Sequence, residues 1–177
     1  MGLQLIICVE TNRKTNSDYI YIKSVIERFF EIGSSYYKLS PVYMDGKGKY
    51  ASNRVLKDIN RLQKKYNAAS DRNDSVVLYC FDTDDYDFNR EDAIFLEKAR
   101  NFCDQAGYKF VWFCKDVEHV FLGKRISDNQ KKREAERFLA QNRIERIRVD
   151  SLQSKAFQIG RSNLCDILEL FLQYRDK

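Results

Sequence analysis

Ser75-Val76-Val77-Leu78-Tyr79-Cys80-Phe81 runs without a break into Asp82-Thr83-Asp84-Asp85. Six apolar residues in succession, β-branched and aromatic among them, leave no polar face for water. That is the pattern of a strand buried on both sides, as in a parallel sheet covered by helices. The sudden change to acid marks the point where the chain leaves the sheet. A second apolar run, Leu3–Val9, has the same character and ends in the same way, at Glu10.

On either side of these two strands the hydrophobic period alternates between strand and helix. Asn16 or Ser17 can cap a helix starting near Asp18, with Tyr19, Ile22, Ile26 and Phe29 on one face and Gly33 at its end. Tyr36–Met44 reads as a strand in which Pro41 removes one ladder donor, so an edge position or an irregularity is expected. Helices are expected over Ser52–Asn67 and from Asn89 to just before Gly107, then a strand over Tyr108–Phe113. The remainder reads as a polar helix near Ser127–Asn142, a short strand over Ile144–Val149 and an amphipathic closing helix over Asn163–Tyr174. The order strand, helix, strand, helix, strand, helix, strand predicts an α/β domain with a mainly parallel, twisted sheet and helices on both faces.

Composition agrees with one domain over residues 1–177: 44% of residues are apolar, 14% aromatic, and the net charge is 31 − 26 = +5. No apolar run approaches the roughly 20 residues of a membrane span. Leu3–Val9 is too short for a signal-peptide core and has no basic region before it, so no export is expected. The five cysteines are widely spaced, form no CxxC pair, and in three cases sit in apolar runs, which predicts a reducing cytoplasm rather than a disulfide or zinc scaffold. A single histidine, His119, disfavours His-based metal sites and Ser-His-Asp chemistry. Any catalysis must rest on carboxylates, lysines or a metal.

Ligands in open α/β sheets bind beyond the carboxyl ends of the strands. Here every such end is charged: Glu10 after the first strand, Asp45-Gly46-Lys47-Gly48-Lys49 after the second, Asp82 to Asp87 after the third, and Lys115-Asp116-Val117-Glu118 after the fourth. Asp82, Asp84, Asp85 and Asp87 repel one another unless a cation or basic group shares their site. Strand alternation would put Asp82 and Asp84 on the same side, with Glu10 as a third oxygen ligand. All-oxygen donors suit Mg²⁺, with Mn²⁺ as a substitute. The competing reading is an Asp-rich turn with no ligand at all.

A strand ending in Glu followed by a strand ending in Asp-x-Asp resembles the Toprim domain, with Glu10 and Asp82-Thr83-Asp84 in the two motifs. The finer pattern is most similar to RloB-type or OLD-like Toprim proteins of bacterial defence loci, through the Gly46-Lys47-Gly48-Lys49 turn between the motifs and Glu118 after the next strand. The resemblance covers about residues 3–125, leaving about 126–177 as a helical extension. Toprim domains commonly have Gly after the first Glu, where this chain has Thr11-Asn12. The resemblance implies Mg²⁺-dependent cleavage of phosphodiester bonds in DNA or RNA, with Glu10 in acid–base or metal work, Asp82 and Asp84 holding metal, and Glu118 at the site. It also implies an anti-phage effector with an ATPase companion protein.

The charge pattern fits an anionic polymer. From Lys47 to Lys65 seven basic residues face one acid, and Arg54, Lys57, Arg61 and Lys64 share a helix face opposite Val55, Ile59, Leu62 and Tyr66. With Lys47 and Lys49 these form the candidate nucleic-acid surface; as a solvated helix face they would have no ligand. Nine basic residues against four acids follow over Lys124–Arg148, and Phe81–Asp104 between the two carries eight acids against three basics. Lys115 stands at a strand end where it can stabilise charge on a phosphate, or can simply pair with Asp116 or Glu118. Gly46–Lys49 lacks the full P-loop pattern and reads either as a phosphate cradle or as a plain turn. The principal alternative to a nuclease is a non-catalytic module that binds nucleic acid or a partner protein. A phospho-acceptor receiver domain ranks third, because it needs an acidic pair after the first strand and Glu10-Thr11 is not one.

Overall fold

The structure is a computed structural model that describes residues 2–33 and 37–175. Four parallel strands, β1 (Gly2–Val9), β2 (Tyr37–Tyr43), β3 (Asn73–Asp82) and β4 (Lys109–Phe113), form one sheet in the order β2-β1-β3-β4. This is the expected α/β class, with a Rossmann-like parallel sheet. β1 and β3 are central, with Leu5 opposite Leu39 on one side and Val76 on the other. That position explains why their sequences are apolar on both faces. β2 lies at an edge, where Pro41 costs no interior hydrogen bond; the expected first residue of this strand, Tyr36, lies outside the described residues.

Each face of the sheet has its own core. Leu5, Ile7, Val9, Leu78 and Phe113 pack under α1 (Ser17–Phe29), α4 (Val117–Leu122), α5 (Asp128–Ala140) and α6 (Leu164–Leu168). Ile6, Cys8, Tyr79, Phe81 and Trp112 pack under α2 (Asn53–Asn67) and α3 (Arg90–Ala106). The caps follow the sequence: Ser52 accepts the Val55 N–H, Asn89 accepts the Glu91 N–H, and Gly107 takes the left-handed conformation that ends α3. All five cysteines are buried and free. Among the described residues no helix is long and apolar enough to cross a membrane.

Three expectations are corrected. α1 ends at Phe29, not Gly33, because the chain turns out to pair with the C-terminal segment: Phe30 bridges Tyr174 and the Glu31 N–H donates to the Gln173 carbonyl. Its buried stripe is Asp18, Tyr21, Ile22, Val25 and Ile26, leaving Tyr19 and Phe29 half-buried. The closing helix is shortened to Leu164–Leu168: the chain turns at Glu169–Phe171 and then pairs with the end of α1 through Gln173 and Tyr174. Ile144–Val149 forms no strand; it falls across 3₁₀ turns at Arg143–Arg146 and Val149–Leu152. The free edge of β4 is already occupied. The Asn163 side-chain amide accepts the Trp112 N–H at 2.9 Å and donates to the Phe110 carbonyl at 3.0 Å, and the Cys114 N–H donates to the Arg161 carbonyl. The C-terminal third is thus part of the same core through Leu152, Leu164 and Leu172.

Candidate functional site

The connection from β1 leads to β2 on one side and that from β3 leads to β4 on the other, so the chain diverges beyond the ends of β1 and β3. This is the crevice in which α/β sheets place ligands. Glu10 and Asp82 meet there: the Asp82 N–H donates to Glu10 Oε1 at 3.0 Å. Asp82 is buried and its Oδ1 accepts the N–H of Val117, the first residue of α4, at 3.0 Å. Asp18, in the first turn of α1, accepts the Thr11 N–H and the Ser17 hydroxyl, each at 3.1 Å. These three carboxylates and the Lys131 ammonium from α5 line a cavity of about 410 Å³ with Thr11, Asn12, Asp45 and Gly46. Behind it, Glu118 is fully buried with neither carboxylate oxygen hydrogen-bonded; Lys131 Nζ stands 3.5 Å from its Oε2, close enough to pair by charge alone.

Burial dominates the proton affinities. Glu10 is pushed up to about 8 by desolvation, with Asp18 and Asp84 adding, while the Asp82 N–H and Lys47 oppose. Desolvation, then Glu10, Asp18 and Glu118, raises Asp82 well above the carboxylate range against the pull of Lys131. Asp18 is raised and Glu118 is pushed up to about 7, each by burial that Lys131 only partly offsets. Glu118, Asp82 and Asp18 together overcome the desolvation of Lys131 and hold it cationic. Asp18, Asp82 and Glu118 share one ammonium with Asp128, and Glu10 has only the pull of Lys47, so this cluster binds protons or a further cation in preference to carrying its full charge.

Asp84 does not line the cavity with Glu10 and Asp82, although its charge reaches Glu10. It adopts the left-handed conformation, φ 47°, which ends the strand alternation and turns its carboxylate to Lys47, itself 2.7 Å from Asp92 of α3. Lys115 is also left-handed, φ 69°, and its ammonium pairs with Asp87 at 2.6 Å and Asp85 at 3.4 Å, outside the cavity. Gly46–Lys49 forms a 3₁₀ turn, not a phosphate cradle, with the Gly46 N–H spent on the Glu10 carbonyl. Lys49 pairs with Asp45.

The basic face of α2 divides. Arg54 and Arg61 line a second cavity of about 720 Å³ along β2, together with Arg13 and Lys14 of the β1–α1 loop; Lys57 and Lys64 are exposed and lie outside it. Sequence reasoning missed Asp18 and Lys131. Asp18 had a visible signal only as a helix-start acid, and nothing in the polar stretch around Lys131 ties it to strands more than 40 residues away.

The donors fit Mg²⁺ or Mn²⁺ in kind: carboxylate oxygens only, with Glu10 Oε2 and Asp82 Oδ2 receiving no donor from the described residues. Among the described residues no three acidic, His or Cys side chains already stand in coordinating geometry. Comparison with protein-family models, with curated proteins and with solved structures finds no match to this chain.

Proposed function

We propose that this chain is a Mg²⁺-dependent phosphodiester hydrolase of Toprim type, a nuclease acting on DNA or RNA. The observation that carries the reading is the meeting of Glu10 and Asp82 at the switch point, with Asp18 and Lys131 around the same cavity. Asp82 would hold the ion through Oδ2, the oxygen its backbone donor leaves free, with the Glu10 and Asp18 carboxylates beside it. When bound, Mg²⁺ supplies positive charge to a scissile phosphate and acidifies a water molecule. Glu10 is partly buried but less enclosed than Asp82 and Asp18, and its Oε2, left off the ion, would accept the proton that water loses. Lys131 keeps Asp18 and Asp82 from rising further and stabilises negative charge in the cavity. Lys115 and Glu118 act at one remove: Lys115 fixes the Asp85–Asp87 loop, and Glu118 sets the position of Lys131.

A cytoplasmic anti-phage effector working beside an ATPase companion is the setting that the motif resemblance suggests. Incubation of plasmid, tRNA and single-stranded substrates with Mg²⁺ or Mn²⁺ tests the reading, with Glu10→Gln as control; cleavage by both proteins alike, or by neither, refutes it. The second reading, a non-catalytic binding module, draws support from Asp84 and Lys115 being paired away from the cavity. It gains if nucleic acid binds and no substrate is cut.

A further inference from the structure

The larger cavity lies outside the acidic centre but shares Asn12 and Asp45 with it, so the two adjoin at the carboxyl end of β1 and β2. Its walls carry four cations, Arg13, Lys14, Arg54 and Arg61, against the two acids Asp45 and Asp58. Both acids are already matched, Asp45 by Lys49 at 3.1 Å and Asp58 by Arg61 at 3.3 Å. Arg13, Lys14 and Arg54 make no ion pair with a described residue; the Arg54 guanidinium is instead anchored on the Met44 carbonyl at 2.7 Å. Tyr43 contributes a half-buried aromatic ring to the same wall, steadied by its hydroxyl donating to Asn16 at 2.6 Å.

We infer that this groove is the track for a single strand of nucleic acid, its phosphates on Arg13, Lys14 and Arg54 and a base against Tyr43, leading one phosphodiester bond to the Glu10–Asp82 centre. The inference deepens the phosphodiester reading and rests on it for the choice of ligand. Unpaired cations and an aromatic side chain lining one groove are the elements that bind single strands through backbone and stacking. A concave groove of about 720 Å³ can take a flexible strand against its walls, whereas the phosphates of a duplex lie on a convex surface. The groove also re-divides the basic face of α2. Arg54 and Arg61 belong to the track, and Lys57 and Lys64 do not.

The test is fluorescence anisotropy with short labelled oligonucleotides, single-stranded DNA, single-stranded RNA and duplex DNA, in chelator and across a salt series. Arg13→Gln/Lys14→Gln is compared with wild type and with Lys23→Gln/Arg28→Gln, which removes the same charge from α1 on the other face of the sheet. The side chains of Arg13 and Lys14 are exposed and make no hydrogen bond, so the variant should melt with wild type. Loss of two phosphate contacts should lower the log–log salt slope by about 1.4, or about 25-fold in affinity at 0.1 M salt if the curves converge near 1 M. The α1 variant should keep the wild-type slope. Stronger binding of DNA or of RNA identifies the sugar and supports the track in either case. An unchanged slope in the groove variant, an equal loss in the α1 variant, or a duplex bound as tightly as single strands overturns it. Because the assay needs neither metal nor turnover, intact binding without cleavage condemns the hydrolase reading alone, and cleavage with an indifferent groove variant condemns the track alone.

Discussion

Replacing Glu10 by Gln should make the metal-free protein less sensitive to alkali. The amide keeps the size of the side chain, and its Oε1 can still accept the Asp82 N–H at 3.0 Å; only ionisation is lost. In the folded chain Glu10 holds its proton up to about pH 8, whereas the unfolded chain releases it near the ordinary 4.5. The folded state therefore binds more protons across that window, and stability falls as pH rises through it. Between pH 5 and pH 8 this one carboxyl removes about 3 kcal/mol, since each pH unit inside the window is worth about 1.4 kcal/mol and the ends of the window are rounded. For a chain of this length that is about 6–12 °C in melting temperature. Relief of Asp82 from its charged neighbour acts in the same direction. Thermal unfolding followed by circular dichroism in EDTA, at pH 5, 6.5 and 8, should show the wild type losing stability relative to Glu10→Gln over that range, and saturating Mg²⁺ should narrow the gap. Parallel curves for the two proteins would refute both the burial of Glu10 and its place in a cation-sharing cluster.

Other perturbations probe neighbouring parts of the argument. Asp82→Asn should weaken the Mg²⁺-induced rise in melting temperature, which for the wild type reaches about 2.7 kcal/mol at a hundredfold excess over Kd; equal responses would remove Asp82 from the ion's ligands. Lys131→Gln should destabilise the metal-free fold at pH 8 by about 2 kcal/mol or more, since Asp18, Asp82 and Glu118 lose their common counter-charge, and a neutral outcome in denaturant titration would break that link. Asn163→Ala strips partners from the Trp112 N–H and the Phe110 carbonyl and should cost about 2–4 kcal/mol, which urea unfolding would detect. Tyr21→Phe removes a buried hydroxyl that has no partner and should leave stability unchanged or raise it by about 1 kcal/mol; a clear loss would show that the hydroxyl is bonded.

The centre of the sheet was legible because β1 and β3 are buried on both faces, and no helix of ordinary amphipathicity gives Leu3–Val9 or Val76–Phe81. Helices with a side-chain cap or terminal Gly, such as α2 and α3, were legible to within a residue for the same local reason. The C-terminal third was not, since its conformation is decided by distant partners: Asn163 by the edge of β4, Tyr174 by Phe30. At the site, Glu10 and Asp82 could be placed from strand ends alone. Asp84 could not, because one left-handed residue reverses the alternation on which its placement relied, and φ is not written in an Asp-Thr-Asp sequence.

That left-handed pair, Asp84 and Lys115, also divides the charge at this end of the sheet into two systems. The Asp84 N–H donates to the Lys115 carbonyl at 2.8 Å and the Lys115 N–H to Thr83 Oγ1 at 2.9 Å, so each holds the other in a conformation that costs a non-glycine residue about 1 kcal/mol or more. Outside this junction the acids are matched: Asp84 and Asp92 by Lys47, Asp85 and Asp87 by Lys115, Asp116 by Arg125 at 3.3 Å. Inside it, Asp18, Asp82 and Glu118 have Lys131 between them, which Asp128 also shares, and Glu10 has the pull of Lys47. Pairing the acids of the outer loops while leaving the inner carboxyls with fewer cations differs from a plain acid-rich turn, which solvates its charges alike. The left-handed pair aims Asp84 at Lys47 and Lys115 at Asp85 and Asp87. Among the described residues Lys131 is thus the ammonium that reaches Asp18, Asp82 and Glu118, and carboxyls that outnumber their cations in this way favour a proton or an added cation.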